Sequence, residues 1–301
     1  MGDLFLIPIC IIAGMLLMRS KVFPDNSYKI INSIIIYINL PALTLYYIPQ
    51  IEIKQELIFP AAVIWIIFLI SIIFFVILEN IFRWDKKTTG ALILTGGLAN
   101  TSFVGFPVLM ALFGEEGLKI GVIIDQAGSF LVLSTLGVIV ASVYSSGKYS
   151  LKKILIDILK YPPFWAFVIS LIMIAGGIKH NEISSEILSK LGKPTIVLAL
   201  ISVGMQLKPK VDGKLWKELT TGLIYKLLIA PVFIFAIGIY LFKASGLSFQ
   251  VSVIECAMPP MVMGSVLATQ FNLNPRLANF MVGIGIPVST ATLALWWWLL
   301  R

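Results

Sequence analysis

Two long apolar stretches of this sequence contain helix-breaking and hydrogen-bonding residues in their middle. The first, residues 96–114, carries Asn100, Thr101 and Ser102, followed by Pro107. Proline lacks the N–H that a continuous helix requires, and it disfavours helix in the residue before it. The second half of an interrupted helix begins with free N–H groups and a partial positive charge, which together suit an anion.

The second interrupted stretch, residues 251–271, lies in the corresponding place of the other half of the chain. Its break falls at Pro259 and Pro260, and Gly264 and Ser265 follow. In lipid, exposed backbone is tolerated only where it is buried in protein or faces a watery cavity. Interrupted helices paired between two halves indicate the binding site of a secondary transporter. We therefore predict one substrate site at both breaks; the alternative is two proline kinks in a packed bundle.

Four further polar side chains fall inside apolar stretches, where charge is costly and marks function. Asp125 is followed by Gln126, and Glu255 lies four residues before Pro259. Both carboxylates are candidates for proton exchange during transport, although a buried ion pair or a water-exposed position would also explain Asp125. Lys226 either belongs to the same support site or extends its ammonium group to the cytoplasmic interface.

The composition places the chain among membrane proteins. Only 13% of its 301 residues are charged and 58% are hydrophobic, whereas a soluble domain carries roughly 25% charged residues. The net charge of +8 is spread over short loops, which favours contact with the lipid bilayer and excludes a nucleic-acid partner. The single histidine, His180, falls in a loop, and no intramembrane protease motif is present. We predict no enzymatic activity, no metal site and no cofactor.

Ten apolar stretches are predicted to be membrane-spanning helices, so the fold class is an all-α polytopic membrane protein. In chain order, these segments are 4–18, 30–48, 57–78, 90–113, 118–144, 162–178, 187–207, 219–242, 250–271 and 276–300. Lys and Arg concentrate in the loops on one side, which predicts that both termini are extracytoplasmic in the cell membrane. An odd number of segments per half then predicts two inverted five-helix repeats, 1–144 and 162–301. One continuous, unrepeated bundle is the alternative.

Four short motifs resemble those of the auxin efflux carrier family, in the same order along the chain. They are NLPA at 39–42, NTSFVGFP at 100–107, ISVGMQL at 201–207 and AMPP at 257–260. The short central loop resembles that of the prokaryotic members. The resemblance implies a fold shared with bile-acid symporters and some sodium/proton antiporters.

In that fold, a scaffold formed by 1–48 and 162–207 supports a transport domain formed by 57–144 and 219–300. The resemblance implies that the fourth and ninth segments cross at their breaks, and that the protein forms a homodimer through its first, second and seventh segments. It also implies an elevator-like or rocking motion with alternating access.

The resemblance also assigns roles within the site. Asn100 would touch a substrate carboxylate, Pro107 and Pro260 would mark the crossing, and Gln126 would belong to a polar support site. Some plant members carry an Asp and a Lys in the third segment, but residues 57–78 here contain neither. Support chemistry would therefore rest on Asp125 and Glu255, and the coupling ion, proton or sodium, stays open.

The sequence thus predicts a secondary active transporter of a small organic anion, with a carboxylate as substrate. Leu43, Tyr46 and Val203 are predicted scaffold contacts, which would accept a partly hydrophobic carboxylate, although a dicarboxylate such as malate would fit as well. The alternatives are a sodium-coupled symporter of the bile-acid type and an anion channel. A signalling bundle is disfavoured because the loops have no room for an output domain.

Overall fold

The computed structural model describes most of the chain and is helical throughout the part that it describes. The described residues are 2–20, 22–24, 26–52, 55–145, 156, 159–206 and 215–301, with side chains from residue 6 onward. Leu207 and many loop lysines lie outside the described residues, among them Lys148, Lys152 and Lys208. The charge pattern behind the predicted orientation is therefore untested.

Twelve helices organise the described residues. They are α1 Gly2–Arg19, α2 Ser27–Gln50, α3 Gln55–Phe82, α4 Lys86–Gly97, α5 101–113, α6 115–144, α7 Pro162–Ala175, α8 Glu182–Gln206, α9 Trp216–Tyr240, α10 Gly246–Cys256, α11 Val262–Gln270 and α12 Pro275–Leu299. Within the described ranges, six helical runs are long and apolar enough to cross a membrane, namely α2, α3, α5 with α6, α8, α9 and α12. Helices α1 and α7 are shorter apolar helices. The arrangement as ten spans in two inverted repeats stays a prediction.

The run that contains α5 and α6 bends at Gly114, whose φ of 66° lies in the left-handed region that glycine tolerates. A straight helix would separate Thr101 and Asp125 by about 36 Å, at 1.5 Å per residue. Their side chains are instead in hydrogen-bond contact at 2.6 Å. The chain therefore folds back at Gly114, so α5 and α6 lie side by side.

The helices pack in two groups. The first helix group is α1, α2, α7 and α8, and the second helix group is α3 to α6 with α9 to α12. Within the first group, α1 and α8 approach so closely that a Cβ added to Gly14 or Gly204 would overlap a carbonyl oxygen of the other helix. The division into a scaffold and a transport domain, and the motion of one against the other, stay predictions.

The predicted breaks exist, with shifted bounds. Helix α4 begins at Lys86, ahead of the predicted start, because Asp85 caps it by accepting a hydrogen bond from the Thr88 N–H. The first break spans 98–100, and Pro107 lies beyond it in the first turns of α5. The second break spans 257–261, so Gly264 lies inside α11 rather than in the break.

Candidate functional site

The two breaks pair with each other through their backbones. The Asn100 N–H donates to the Pro259 carbonyl at 2.9 Å, and the Met261 N–H donates to the Leu98 carbonyl at 3.2 Å. Together they form a short antiparallel bridge, which we call the crossing. Pro259 accepts the hydrogen bond from Asn100 but has no N–H with which to return one to the Asn100 carbonyl, so the bridge does not extend on that side. The C-terminal ends of α4 and α10 and the N-terminal ends of α5 and α11 all lie at this crossing.

One polar group of the Asn100 side chain is hydrogen-bonded, and the other has no partner among the described residues. Its Oδ1 accepts from the Phe103 N–H at 3.2 Å and so caps the start of α5. The side chain is 1% exposed, and no described residue offers its Nδ2 group an acceptor. A buried donor without an acceptor is costly, and most such donors in native proteins are paired. The Nδ2 group is therefore poised to bind something that the chain itself does not supply.

Asp125 anchors α6 against the start of α5 through a buried hydrogen-bond network. The Thr101 hydroxyl donates to Oδ1 of Asp125 at 2.6 Å, and the Gln126 amide donates to Oδ2 at 2.8 Å. Ser129 lies 2.9 Å from the Thr101 hydroxyl oxygen and extends the chain of hydrogen bonds. Both carboxylate oxygens therefore have donors. The predicted support residues Asp125 and Gln126 are brought together with Thr101 in this network.

A cavity of about 200 Å³ reaches the crossing beside Asp125; we call it the Asp125 cavity. It is lined by Ile36, Ser102, Phe103, Asp125, Phe130, Leu133, Ser134, Val138, Tyr161, Met261, Met263, Val266, Leu267 and Gln270. Phe130 of α6 stacks on Tyr161, which immediately precedes α7, with ring centroids 4.1 Å apart and an interplanar angle of 13°. The cavity therefore has walls from both helix groups.

A second cavity, of about 290 Å³, also lies between the helix groups; we call it the Pro107 cavity. It is lined by Leu6, Ile7, Leu43, Tyr47, Pro107, Met110, Glu115, Leu118, Gly192, Lys193, Ile196, Val197 and Leu200. Along α6, the Pro107 cavity contacts 115–118, whereas the Asp125 cavity contacts 125–138. Along α2 the order is reversed, since Ile36 lines the Asp125 cavity whereas Leu43 and Tyr47 line the Pro107 cavity, so the two cavities lie at different levels along these helices.

Glu255 and Lys226 lie buried next to the crossing. Glu255 is 0% exposed, and none of the described residues gives either carboxyl oxygen a hydrogen bond. Lys226 is also fully buried, and its Nζ donates to the Cys256 carbonyl at 2.7 Å. The alternative in which Lys226 extends to the cytoplasmic interface is therefore wrong. The ammonium group lies instead at the C-terminal end of α10, where the helix dipole is negative.

The other predicted site residues are more dispersed. Ser265 donates its hydroxyl to the Val262 carbonyl at 3.0 Å, and a Cβ on Gly264 would come within 2.8 Å of the Leu94 carbonyl oxygen. The Ser265 hydrogen bond is internal to α11, whereas the close approach at Gly264 packs α11 against the end of α4. Tyr46 lines a separate surface depression, and Val203 is fully buried in the first helix group.

The structure also adds residues that sequence reasoning missed. Phe130, Tyr161, Met261 and Met263 line the Asp125 cavity. Nothing in their type or spacing separates them from the many other apolar residues of a membrane protein. The one usable signal was the position of Met261, which directly follows Pro259 and Pro260 in the sequence. Within the described ranges, no group of three or more His, Cys, Asp and Glu side chains is placed to hold a metal ion.

Comparison with known proteins gives full-length similarity to transporters. A family model described as membrane transport protein matches residues 1–297. An uncharacterized transporter of Methanocaldococcus jannaschii is 31% identical over 293 residues, which cover 93% of each chain. The uncharacterized transporter YfdV of Escherichia coli K12 is 23% identical over 304 residues, covering 98% of this chain and 96% of its own.

Proposed function

Because the chain belongs to the membrane transport protein family, whose motifs are those of the auxin efflux carriers, we propose that it is a secondary active transporter of small organic anions. The family is one of multi-pass membrane transporters and not of enzymes. We further propose that the substrate is a carboxylate and that transport proceeds by alternating access.

One observation carries the carboxylate proposal: the buried, unpaired Nδ2 group of Asn100 at the crossing. Asn100 is hydrogen-bonded through its backbone to Pro259, so it lies close to the start of α11. Gly264 and Ser265 already donate their N–H groups to the Met261 carbonyl, so the donors that a helix start leaves without an intrahelical partner are those of Val262 and Met263. The helix dipole adds a partial positive charge there. An amide donor beside such a helix end suits a carboxylate without requiring a basic side chain.

The two cavities support alternating access. Each has walls from both helix groups, and the two cavities lie at different levels along α2 and α6. A displacement of the second helix group against the first would widen one cavity while it narrows the other. A substrate bound at the crossing would thus meet one side of the membrane at a time. This is the elevator-like movement that we propose.

The walls of the Asp125 cavity favour an apolar monocarboxylate. Most of the lining side chains are apolar, and Asp125 is the one charged side chain among the described residues that line it. A second carboxylate on the substrate would face the like charge of Asp125 in a medium of low dielectric constant, which is unfavourable. We therefore expect phenylacetate and hexanoate to bind more tightly than malate.

A thermal-shift screen of the purified protein tests this proposal. Phenylacetate and hexanoate should raise the melting temperature at concentrations at least about tenfold lower than malate requires, because ligands that bind only the folded state stabilise it in proportion to log concentration above Kd. The same shifts should disappear in Asn100→Ala. Equal shifts in wild type and variant would overturn the carboxylate site, and a preference for malate would overturn the apolar-substrate assignment.

A further inference from the structure

Glu255 occupies an unusual place for a carboxyl group. Its side chain packs against the backbone of α5 at Gly105, where an added Cβ would lie 2.6 Å from each carboxyl oxygen. An added Cβ on Gly121 of α6 would lie 3.2 Å from Oε1. No donor reaches either oxygen within the described part of the chain. The surroundings therefore offer the negative charge of an ionised carboxylate no direct hydrogen bond.

The contrast with Asp125 distinguishes the two acids. Each oxygen of Asp125 accepts a hydrogen bond from a neighbouring side chain, an arrangement that stabilises the ionised form. An ionised Glu255 would be a buried charge without a hydrogen bond, and such groups either neutralise or find a partner. Asp125 therefore has donors that can stabilise an ionised carboxylate, whereas Glu255 has none among the described residues.

Few charged groups act on Glu255. They are Asp125 from α6 and Lys226 from α9, while Cys256 adjoins it on its own helix. Residues 57–78 of α3 contain no ionisable side chain, and Arg276 at the far end of α12 is the only charged residue of that helix. Lys226 uses one of its three N–H donors on the Cys256 carbonyl. The remaining donors can turn to a carboxylate.

We propose that Glu255 binds and releases the proton that drives transport, and that Lys226 supplies a fixed positive charge beside it at the crossing. The proposal rests on the proposed transport function. In the described state Glu255 is a carboxylic acid. When the crossing is hydrated, its O–H bond breaks, the proton passes to water, and the electron pair stays on the carboxylate. Lys226 then donates a hydrogen bond to that carboxylate, so no sodium ion is required.

Infrared spectroscopy of the purified, full-length protein tests the protonation state without any substrate. Wild type should show a C=O stretching band of a buried carboxylic acid, and Glu255→Gln should lose it. Glu255→Asp should keep the band at a shifted frequency. The control Glu186→Gln, an exposed carboxylate that is ion-paired with Lys190, should leave the band unchanged. A band of equal intensity in wild type and Glu255→Gln would overturn the proposal, and so would an unshifted band in Glu255→Asp.

Proteoliposomes with an internal pH dye test the coupling. Proton movement per phenylacetate transported should fall at least about tenfold in Glu255→Gln while exchange of phenylacetate across the membrane persists, and Glu255→Asp should restore it. Replacing sodium with choline should change the wild-type rate less than twofold. A sodium requirement, or unchanged proton movement in Glu255→Gln, would overturn the proposal. If phenylacetate is not transported at all, the proposed function fails, whereas the infrared result still decides the protonation of Glu255.

Discussion

Asn100→Asp is expected to slow phenylacetate transport by about 100-fold or more. The substitution keeps an oxygen that can accept from the Phe103 N–H, so the cap of α5 is preserved. It replaces the unpaired Nδ2 donor with a second oxygen. A hydrogen bond to a charged group contributes roughly 1.5–3 kcal/mol, which corresponds to about 10–100-fold in affinity. Repulsion between two carboxylates adds to this loss. Initial rates of exchange in proteoliposomes provide the measurement.

Asn272→Asp is the matched control for this experiment. Asn272 is exposed and lies two positions beyond the last residue of α11. The same change of amide to carboxylate at that position should leave the rate within about twofold of wild type. If Asn100→Asp transports phenylacetate at the control rate, the Nδ2 group does not hold the substrate and the carboxylate site must lie elsewhere.

Linking Phe130 to Tyr161 is expected to stop transport. These stacked rings join α6 of the second helix group to Tyr161, the residue that immediately precedes α7 of the first helix group. If the second helix group moves against the first, this contact must break in each cycle. We expect a Phe130→Cys, Tyr161→Cys variant joined by a short bismaleimide to lose at least about 90% of its exchange activity, because the motion of the groups is blocked.

The control for cross-linking joins two helices of the same group. Phe113 of α5 and Trp297 of α12 have ring centroids 5.0 Å apart and are both partly exposed. The variant Phe113→Cys, Trp297→Cys should keep its activity when it is joined by the same reagent. The native Cys10 and Cys256 are buried and can remain in both variants. Full activity in the linked Phe130–Tyr161 variant would show that the two groups do not move apart at this contact.

The sequence was most informative where backbone chemistry is local. Pro259, Pro260 and the polar residues around Asn100 indicated both breaks, because the lack of an N–H and the preference for caps are properties of the residues themselves. The partners within the crossing were not predictable in the same way. The pairing of Asn100 with the Pro259 carbonyl joins positions far apart in the chain. The paired breaks predicted a shared site and the resemblance implied that the two segments cross there, but neither identified the residues that pair.

The position of Pro107 shows a limit of reading helix breaks from composition. Proline is well tolerated near the start of a regular α-helical segment, and the regular α-helical part of α5 starts only at Phe106, after a wider π-helical turn at Thr101–Gly105. Here the helix continues through Pro107, and the residue lines the Pro107 cavity instead of the crossing. A proline alone therefore did not distinguish a break from a helix start.

Lys226 illustrates why the depth of a charged residue could not be predicted. A lysine about seven residues into a membrane-spanning helix can either extend to the membrane surface or turn inward. The sequence left both alternatives open for Lys226. The deciding factor is the end of α10, whose Cys256 carbonyl accepts a hydrogen bond from the ammonium group. That carbonyl belongs to a distant segment, so no local pattern encodes it.

The most direct test of the central claim is exchange of labelled phenylacetate across proteoliposomes that contain the wild-type protein. A carrier with alternating access returns faster with substrate bound than empty, so unlabelled phenylacetate on the far side should accelerate entry of the label, and entry should saturate with concentration. A flux that rises linearly and does not respond to unlabelled phenylacetate on the far side would indicate a channel and contradict transport by alternating access at the crossing.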